Sequence, residues 1–164
     1  YFKINHFIQL PKDIIIPETA TAIHHITNEM CATQGINITV ALNEFNFYAK
    51  LATKLVAHNI TFDKRIIIVE SIRNNILSIF TSTPKLYCTM KSTIDECKLT
   101  RKFKDGTIYF KYPRLTELHE HLFQTKPKGV HDAFNDVLIC LRCYYFLEYN
   151  KDLITTNDLF KRVL

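Results

Sequence analysis

The sequence predicts an α/β domain, because strand-like segments are interspersed with segments of helical periodicity. The chain has 164 residues, of which 47% are hydrophobic, and this is enough for one compact domain with an apolar core. No repeat, low-complexity segment or linker divides the sequence. We therefore expect a single domain over residues 1–164, with helices flanking a mixed sheet.

The first predicted element is a strand over residues 1–10, in which apolar side chains alternate along one face. Pro11 and Pro17 bracket the loop that follows, since proline interrupts regular structure. The stretch PETATAIHHITNEM then predicts a short helical piece that carries two adjacent histidines, His24 and His25.

A longer helix is predicted next, because apolar residues recur at alternating spacings of four and three. Asn37 or Thr39 can cap this helix. Its apolar positions are Ala41, Phe45, Tyr48, Ala52 and Leu55. Residues 54–57 predict a short buried strand, and Thr61 can cap the helix after it. The core-facing positions of that second helix are expected at Ile66, Val69 and Ile76.

The second half of the chain predicts a strand, a hairpin and three helices. The strand is KLYCTM, which starts at Lys85. The segment KLTRKFKDGTIYFKYP predicts a β-hairpin, because Asp105-Gly106 lies between two β-rich runs. Pro113 starts a helix that runs through Leu115, Leu118 and Leu122. The longest helix lies in HDAFNDVLICLRCYYFLEYN, and a last helix lies near TTNDLFKRVL.

Charge and cysteine content narrow the class of protein. The net charge of +5 fits a polyanionic partner without requiring one. Five cysteines, an odd number, argue against a disulfide framework. The pair Cys140 and Cys143 is expected to pack in a helical core rather than to bind zinc. No apolar run approaches the ~20 residues that span a bilayer. We therefore expect an intracellular protein in a reducing compartment, with no membrane contact.

Two carboxylates occupy similar positions near helix starts. Asp63 follows a predicted strand end, where ligands bind in open α/β sheets. Asp136 lies one turn into the longest helix, on a face shared with Cys140 and Cys143, so its charge needs a cation or hydrogen-bond donors. Oxygen ligands of this kind predict a site for Mg²⁺ or Mn²⁺. Asp132 is expected to cap the longest helix, which then begins near Ala133 and leaves His131 on the loop before it. The alternative to a metal site is a capping Asp132 with a solvent-facing Asp136 that the helix dipole favours.

Three short motifs carry a family resemblance: AIHHIT at residues 22–27, HNITFD at residues 58–63 and HDAFND at residues 131–136. In order and spacing they resemble the DEDDh (DnaQ-like) 3′–5′ exonucleases of the ribonuclease H-like superfamily. The resemblance covers nearly the whole chain, and His131 in place of a tyrosine places it in the DEDDh branch. It implies a ribonuclease H-like mixed sheet flanked by helices, and a substrate that is single-stranded DNA or RNA.

The resemblance also implies roles for individual residues. Asp63 and Asp136 correspond to carboxylates of a two-metal site for Mg²⁺ or Mn²⁺, and His131 to the general base that deprotonates the attacking water. His24, Asn59 and Phe62 correspond to residues near the terminal nucleotide.

The residues themselves suggest a second interpretation of Phe62 and of the two histidines. Phe62 is also expected to pack in the core. For His24 and His25 the alternative is a pair of surface histidines at a helix start.

One departure from the family is the absence of its first motif, Asp-x-Glu on a strand. Asp13 and Glu18 do not supply it, because their spacing is wrong and a proline intervenes. We expect this motif and the first two strands to precede Tyr1. A degenerate, non-catalytic nucleic-acid-binding module is the alternative. The AT-rich character implied by many Ile, Lys and Asn residues, together with resemblance to exonucleases of large DNA viruses, predicts a viral origin.

The predicted hairpin looks like an addition to compact members of the family. Its basic residues predict a ribbon that touches nucleic-acid phosphates, and the alternative is a hairpin that is merely solvated. The basic residues concerned are Lys98, Arg101, Lys102, Lys104 and Lys111.

Overall fold

The computed structural model describes residues 3–130, 132–157 and 160–161. These residues form helices and two small sheets, so the α/β class is confirmed. The helices are α1 Glu18–His24, α2 Asn28–Gln34, α3 Ile38–Leu51, α4 Ile60–Arg73, α5 Thr89–Ser92, α6 Ile94–Cys97, α7 Leu115–Phe123, α8 Ala133–Tyr149 and α9 Leu153–Thr156. Strand β1 (Leu55–Ala57) pairs with β2 (Leu86–Cys88), and β3 (Thr100–Lys102) pairs with β4 (Ile108–Phe110). No helix in these described ranges is both long and apolar enough to cross a bilayer.

The chain divides into two compact units. The first comprises Tyr1–Leu55 and Phe62–Lys85, and the second comprises Val56–Thr61 and Leu86–Leu164. The single domain expected from the sequence stays a prediction.

In the first unit, α3 is organised by asparagines at its start and in its buried face. The side chain of Asn37 accepts a hydrogen bond from the Thr39 N–H at 2.8 Å and so caps the helix as predicted. Asn46 is buried, and both polar atoms of its amide form hydrogen bonds that offset the cost of burial. Its Oδ1 accepts from the Ile79 N–H at 2.9 Å, and its Nδ2 donates to the Leu77 carbonyl at 3.0 Å. These bonds hold the 3₁₀ turn Ile79–Thr81 against α3.

The strand predicted over residues 1–10 is wrong for residues 3–10, the part of it that the structure describes. Ile8 forms one parallel bridge to Ile36, with the Gln9 N–H donating to the Ile36 carbonyl at 2.9 Å. The pairing stops there because Asn37 already caps α3 on the partner segment.

Gly35 permits this bridge. A Cβ at Gly35 would clash with the Cys31 carbonyl oxygen and would lie 2.6 Å from the Gln9 nitrogen. The backbones therefore approach more closely at this point than any side chain allows.

Three further expectations, about α1, α2 and α4, need correction. The predicted helical piece around His24 and His25 is two helices, because His25 takes a left-handed conformation at φ 60°. Helix α4 begins at Ile60, so Thr61 lies inside it and is not its cap.

The predicted core face of α4 is also wrong. Ile66 is 51% exposed and Val69 is 43% exposed, while Ile76 lies beyond the end of the helix. Apolar residues surround α4 on nearly every side, so periodicity does not distinguish its buried face.

In the second unit, α7 and α8 pack around a core of Cys97, Leu118, Ile139 and Cys143. Asp132 caps α8 as predicted, accepting from the Asn135 N–H at 2.9 Å. Cys140 and Cys143 are both buried, which confirms their expected place in the core.

The hairpin is also confirmed, with β3 and β4 antiparallel and Gly106 at φ 94° in the turn. Helix α9 begins at Leu153, and residues 160 and 161, within the predicted last helix, are helical. Residues 158–159 and 162–164 of that predicted helix lie outside the described residues.

Candidate functional site

The HNITFD motif lies where β1 ends and α4 begins. Asn59 takes a left-handed conformation at φ 71°, which asparagine tolerates better than most residues. This sharp turn lets the chain leave the strand and enter α4 at the buried residue Ile60. Asp63 then lies in the first turn of α4, as the sequence predicted, where the helix dipole favours a negative charge.

His58, the first residue of the motif, is held by two hydrogen bonds within the second unit. Its Nε2 lies 3.0 Å from the Pro113 carbonyl oxygen and its Nδ1 lies 3.0 Å from Thr89 Oγ1. A carbonyl can only accept, so Nε2 carries a proton, and in the neutral ring Nδ1 accepts from the Thr89 hydroxyl. Both nitrogens of the imidazole are therefore engaged.

Burial lowers the pKa of His58, and this effect outweighs the opposing influence of the Pro113 carbonyl and the Asp136 carboxylate. At neutral pH His58 is therefore uncharged. Its role is to tie the end of β1 to Thr89, a fully buried residue of α5, and to the segment that precedes α7.

Asp136 lies one turn into α8 and is half-buried. Its carboxylate is near enough to His58 for the two groups to interact electrostatically. Within the described part of the chain, no Lys or Arg forms an ion pair with Asp136 or with Asp63. Asp136 is thus a half-buried acid with no Lys or Arg at ion-pair distance among the described residues.

Asp63 combines an exposed position with a perturbed carboxyl group. The residue as a whole is exposed, yet partial burial of its carboxyl raises the pKa above the ordinary value, and its own backbone N–H opposes this shift. A carboxylate that is reluctant to ionise gains from a nearby cation, which favours its charged form.

His24 and Phe62 belong to the first unit. His24 ends α1 and is half-buried, and its Nδ1 accepts from the Ile26 N–H at 3.0 Å, which leaves Nε2 to carry the proton of the neutral ring. The expectation that Phe62 packs in the core is wrong, because its side chain is 61% exposed. Phe62 is therefore largely open to solvent at the start of α4.

The remaining site assignments stay predictions. His131 lies outside the residues that the structure describes. Asp63 belongs to the first unit and Asn59 and Asp136 to the second, so the convergence of the two acids also stays a prediction.

The donor chemistry of the two acids fits a hard divalent cation, because carboxylate oxygens are the preferred ligands of Mg²⁺ and Mn²⁺. Across the described ranges, however, no group of three or more His, Cys, Asp or Glu side chains is placed to hold a metal ion.

The sequence did not indicate His58 and Thr89 as a pair. Their bond joins residues 31 positions apart, and local periodicity carries no information on such a contact. The one available signal was a histidine directly after an apolar strand, where a buried imidazole needs partners.

Comparison with known proteins gives a match to a protein family. The family model described as "Exonuclease" matches residues 3–144, which contain all three motifs. No curated protein matches the chain at a significant level.

Proposed function

The chain belongs to the exonuclease family, and from this premise we propose that it is a metal-dependent 3′–5′ exonuclease of the DEDDh branch. Members of this family are hydrolytic nucleases, so the substrate is a nucleic acid. The proposed substrate is the 3′ end of single-stranded DNA or RNA, and the proposed setting is intracellular. A viral source is proposed on the resemblance alone.

The observation that carries this proposal is the environment of Asp136. A half-buried carboxylate lies within electrostatic range of the His58 imidazole, and no described Lys or Arg pairs with it. Neutral His58 supports the β1 end without competing with a metal for the negative charge. Asp136 is therefore available as an oxygen ligand, and Asp63 is the second ligand proposed.

The proposed mechanism assigns each group one task. When bound, divalent cations activate a water and neutralise charge at the leaving oxygen of the phosphodiester. Asp63 and Asp136 would hold these cations, and His131 would take the proton of the attacking water, since an imidazole has a pKa near neutrality. The exposed ring of Phe62, with Asn59 and His24, would position the terminal nucleotide.

The test compares two aspartates of one helix start. Asp136→Asn removes the proposed metal ligand, whereas Asp132→Asn removes a charge four positions away and keeps an N-cap, because asparagine caps helices as well as aspartate does. With Mg²⁺ and 5′-labelled single-stranded oligonucleotides, Asp136→Asn should slow nucleotide release about 100-fold or more. Asp132→Asn should release nucleotides at close to the parent rate.

A second readout makes the metal role visible without turnover. Mn²⁺ affinity, measured by calorimetry, should fall in Asp136→Asn and in Asp63→Asn and persist in Asp132→Asn. Equal turnover and equal Mn²⁺ affinity in all variants would refute the assignment, and a product ladder that starts from the 5′ end would refute the proposed direction. Oligonucleotide binding without nucleotide release would favour the alternative of a non-catalytic binding module.

A further inference from the structure

The β3–β4 hairpin in the second unit buries neither of its faces. Thr100 pairs with Phe110, Arg101 with Tyr109 and Lys102 with Ile108. Every residue of the two strands is exposed except Tyr109, which is half-buried. Because a two-stranded hairpin without a covered face is only marginally stable in water, burial does not explain why the chain maintains this element.

The hairpin segment carries the whole excess of positive charge. Residues 98–114 contain six basic residues and one acidic residue, which leaves 15 basic and 15 acidic residues in the rest of the chain. The basic residues are Lys98, Arg101, Lys102, Lys104, Lys111 and Arg114. The formal net charge of +5 is therefore a local property of one hairpin and not a general property of the surface.

Most of this charge is uncompensated. Lys111 is paired, with its Nζ 2.6 Å from both carboxylate oxygens of Glu117. Asp105 is engaged in the turn, where its Oδ1 accepts from the Thr107 N–H at 2.9 Å. In the part of the chain that the structure describes, no acid lies at ion-pair distance from four cations of this segment. These cations are Lys98, Arg101, Lys102 and Lys104.

Apolar and aromatic side chains are interleaved with these cations. Phe110 is 48% exposed and Ile108 is 67% exposed, and both share a face with Lys102, because directly paired and alternate residues point the same way. Tyr112, just after β4, is 52% exposed. On the opposite face the ring of Phe103 stacks on Tyr109, with centroids 4.1 Å apart. Exposed rings beside unpaired cations are the composition of a surface that binds single-stranded nucleic acid.

We propose that residues 98–114, here named the basic hairpin, form a platform for single-stranded nucleic acid. Unpaired bases stack on Phe110 and Tyr112, and the phosphates contact the cations along the hairpin. The nature of the ligand rests on the proposed function, because that function supplies the nucleic acid. A base-paired duplex is disfavoured, since its base faces are covered and cannot reach the rings.

The platform also has a purpose in the proposed reaction. A binding surface outside the carboxylate site holds the body of the strand while its end is hydrolysed. Substitutions in the basic hairpin should therefore raise the KM for long oligonucleotides and leave kcat at saturation unchanged, because they remove binding that ground state and transition state share.

The test measures binding without hydrolysis, using the full chain, excess EDTA and fluorescently labelled single-stranded DNA and RNA oligonucleotides. The aromatic variant is Phe110→Ala with Tyr112→Ala, and the basic variant is Lys102→Gln with Lys104→Gln. The aromatic control is Phe47→Ala, whose ring is 59% exposed on α3, and the charge control is Lys50→Gln with Lys151→Gln, two exposed lysines outside the hairpin. Unfolding midpoints should be unchanged in all variants, since none touches the core.

We expect the aromatic variant to raise the dissociation constant about tenfold or more. The basic variant should weaken binding and lower the slope of log Kd against log salt by about 1.4, or about 0.7 for each phosphate that is no longer neutralised. Controls should bind like the parent, and a duplex of the same length should bind more weakly than the single strand. The ratio of the dissociation constants for DNA and RNA of the same sequence shows whether the sugar contributes to binding.

Two outcomes would overturn the inference: parent-like affinity in both hairpin variants, or equal losses of affinity in the controls. An acidic protein partner would then be the class to pursue. The outcomes also separate this inference from the proposed function. If the hairpin variants lose binding and the parent chain releases no nucleotides, the platform is supported and the proposed exonuclease activity is refuted. If the parent chain releases nucleotides and the hairpin variants bind like the parent, the exonuclease activity is supported and the platform is refuted.

Discussion

The guanidinium of Arg142 holds the carboxylate of Asp152 through two hydrogen bonds, Nε to Oδ1 and Nη2 to Oδ2, each 2.8 Å long. Arg142 projects from α8, and Asp152 caps α9, where its Oδ1 also accepts from the Ile154 N–H at 3.1 Å. The guanidinium lies over the Phe123 ring, 3.7 Å from its centroid. One side-chain pair therefore joins two helices and sets the start of the second.

Asp152→Ala should destabilise the fold by about 3 kcal/mol, because it leaves the mostly buried guanidinium unpaired and removes the cap of α9. The measurement is the free energy of unfolding from urea denaturation. The neighbouring exposed residue supplies a control, since Lys151→Ala should change this energy by less than about 0.5 kcal/mol. Equal stability of the two variants would show that the ion pair adds nothing.

His119 should make stability depend on pH. Its side chain is buried, its Nδ1–H donates to the Thr125 carbonyl at 2.8 Å, and its Nε2 accepts from Arg142 at 2.8 Å. Burial lowers its pKa and the charge of Arg142 adds to this effect, against the opposing influence of the Thr125 carbonyl and Asp152. The unfolded chain therefore binds a proton at a higher pH than the folded chain does. The contribution of His119 is complete above its ordinary pKa of about 6.5 and is lost as pH falls below it.

Denaturation at about pH 7.5 and about pH 5.5 measures this effect, because histidine titrates between those values. His119→Gln should reduce the stability difference between the two conditions, and His121→Gln, at an exposed histidine two positions away, should not. A pH dependence unchanged in His119→Gln would assign the effect to other groups.

His131→Ala should lower kcat by about 10²- to 10⁴-fold if this residue is the general base. The slope of the pH–rate profile on its acidic side should disappear as well, since that slope reports the deprotonation of the base. Circular dichroism and the unfolding midpoint provide the control for folding. Parent-like turnover in this variant would remove His131 from the mechanism.

Asn59 should tolerate glycine better than any branched residue, because its backbone is left-handed at φ 71°. Asn59→Val should destabilise the fold by about 1–2 kcal/mol, the cost of that conformation for an ordinary L-residue. Asn59→Gly should stay within about 1 kcal/mol of the parent. If Asn59 also contacts the terminal nucleotide, both variants should raise KM, whatever their stability.

Elements with chemical signals at their ends were predictable from the sequence. Asn37 and Asp132 cap α3 and α8 as expected, and Asp105-Gly106 forms the turn of the hairpin. These signals act over a few residues, so they can be recognised without knowledge of the fold.

Burial was harder to predict than local structure. The alternation in residues 3–10 yields a single bridge, because a strand needs a partner as well as a pattern. Phe62 is exposed although it is aromatic, since α4 has apolar residues on most of its surface and buries only some of them. Within the site, the first-turn position of Asp63 was predictable, whereas the bond between His58 and Thr89 depends on tertiary packing.

Gly35 has a consequence for how this chain can vary. Its φ of −71° is ordinary, so the restriction at this position is one of space and not of backbone conformation. Even alanine would force the segment around Gln9 away and break the bridge between Ile8 and Ile36. In a saturation library selected for folding, position 35 should therefore be depleted of every other amino acid, while its exposed neighbour Gln34 accepts many.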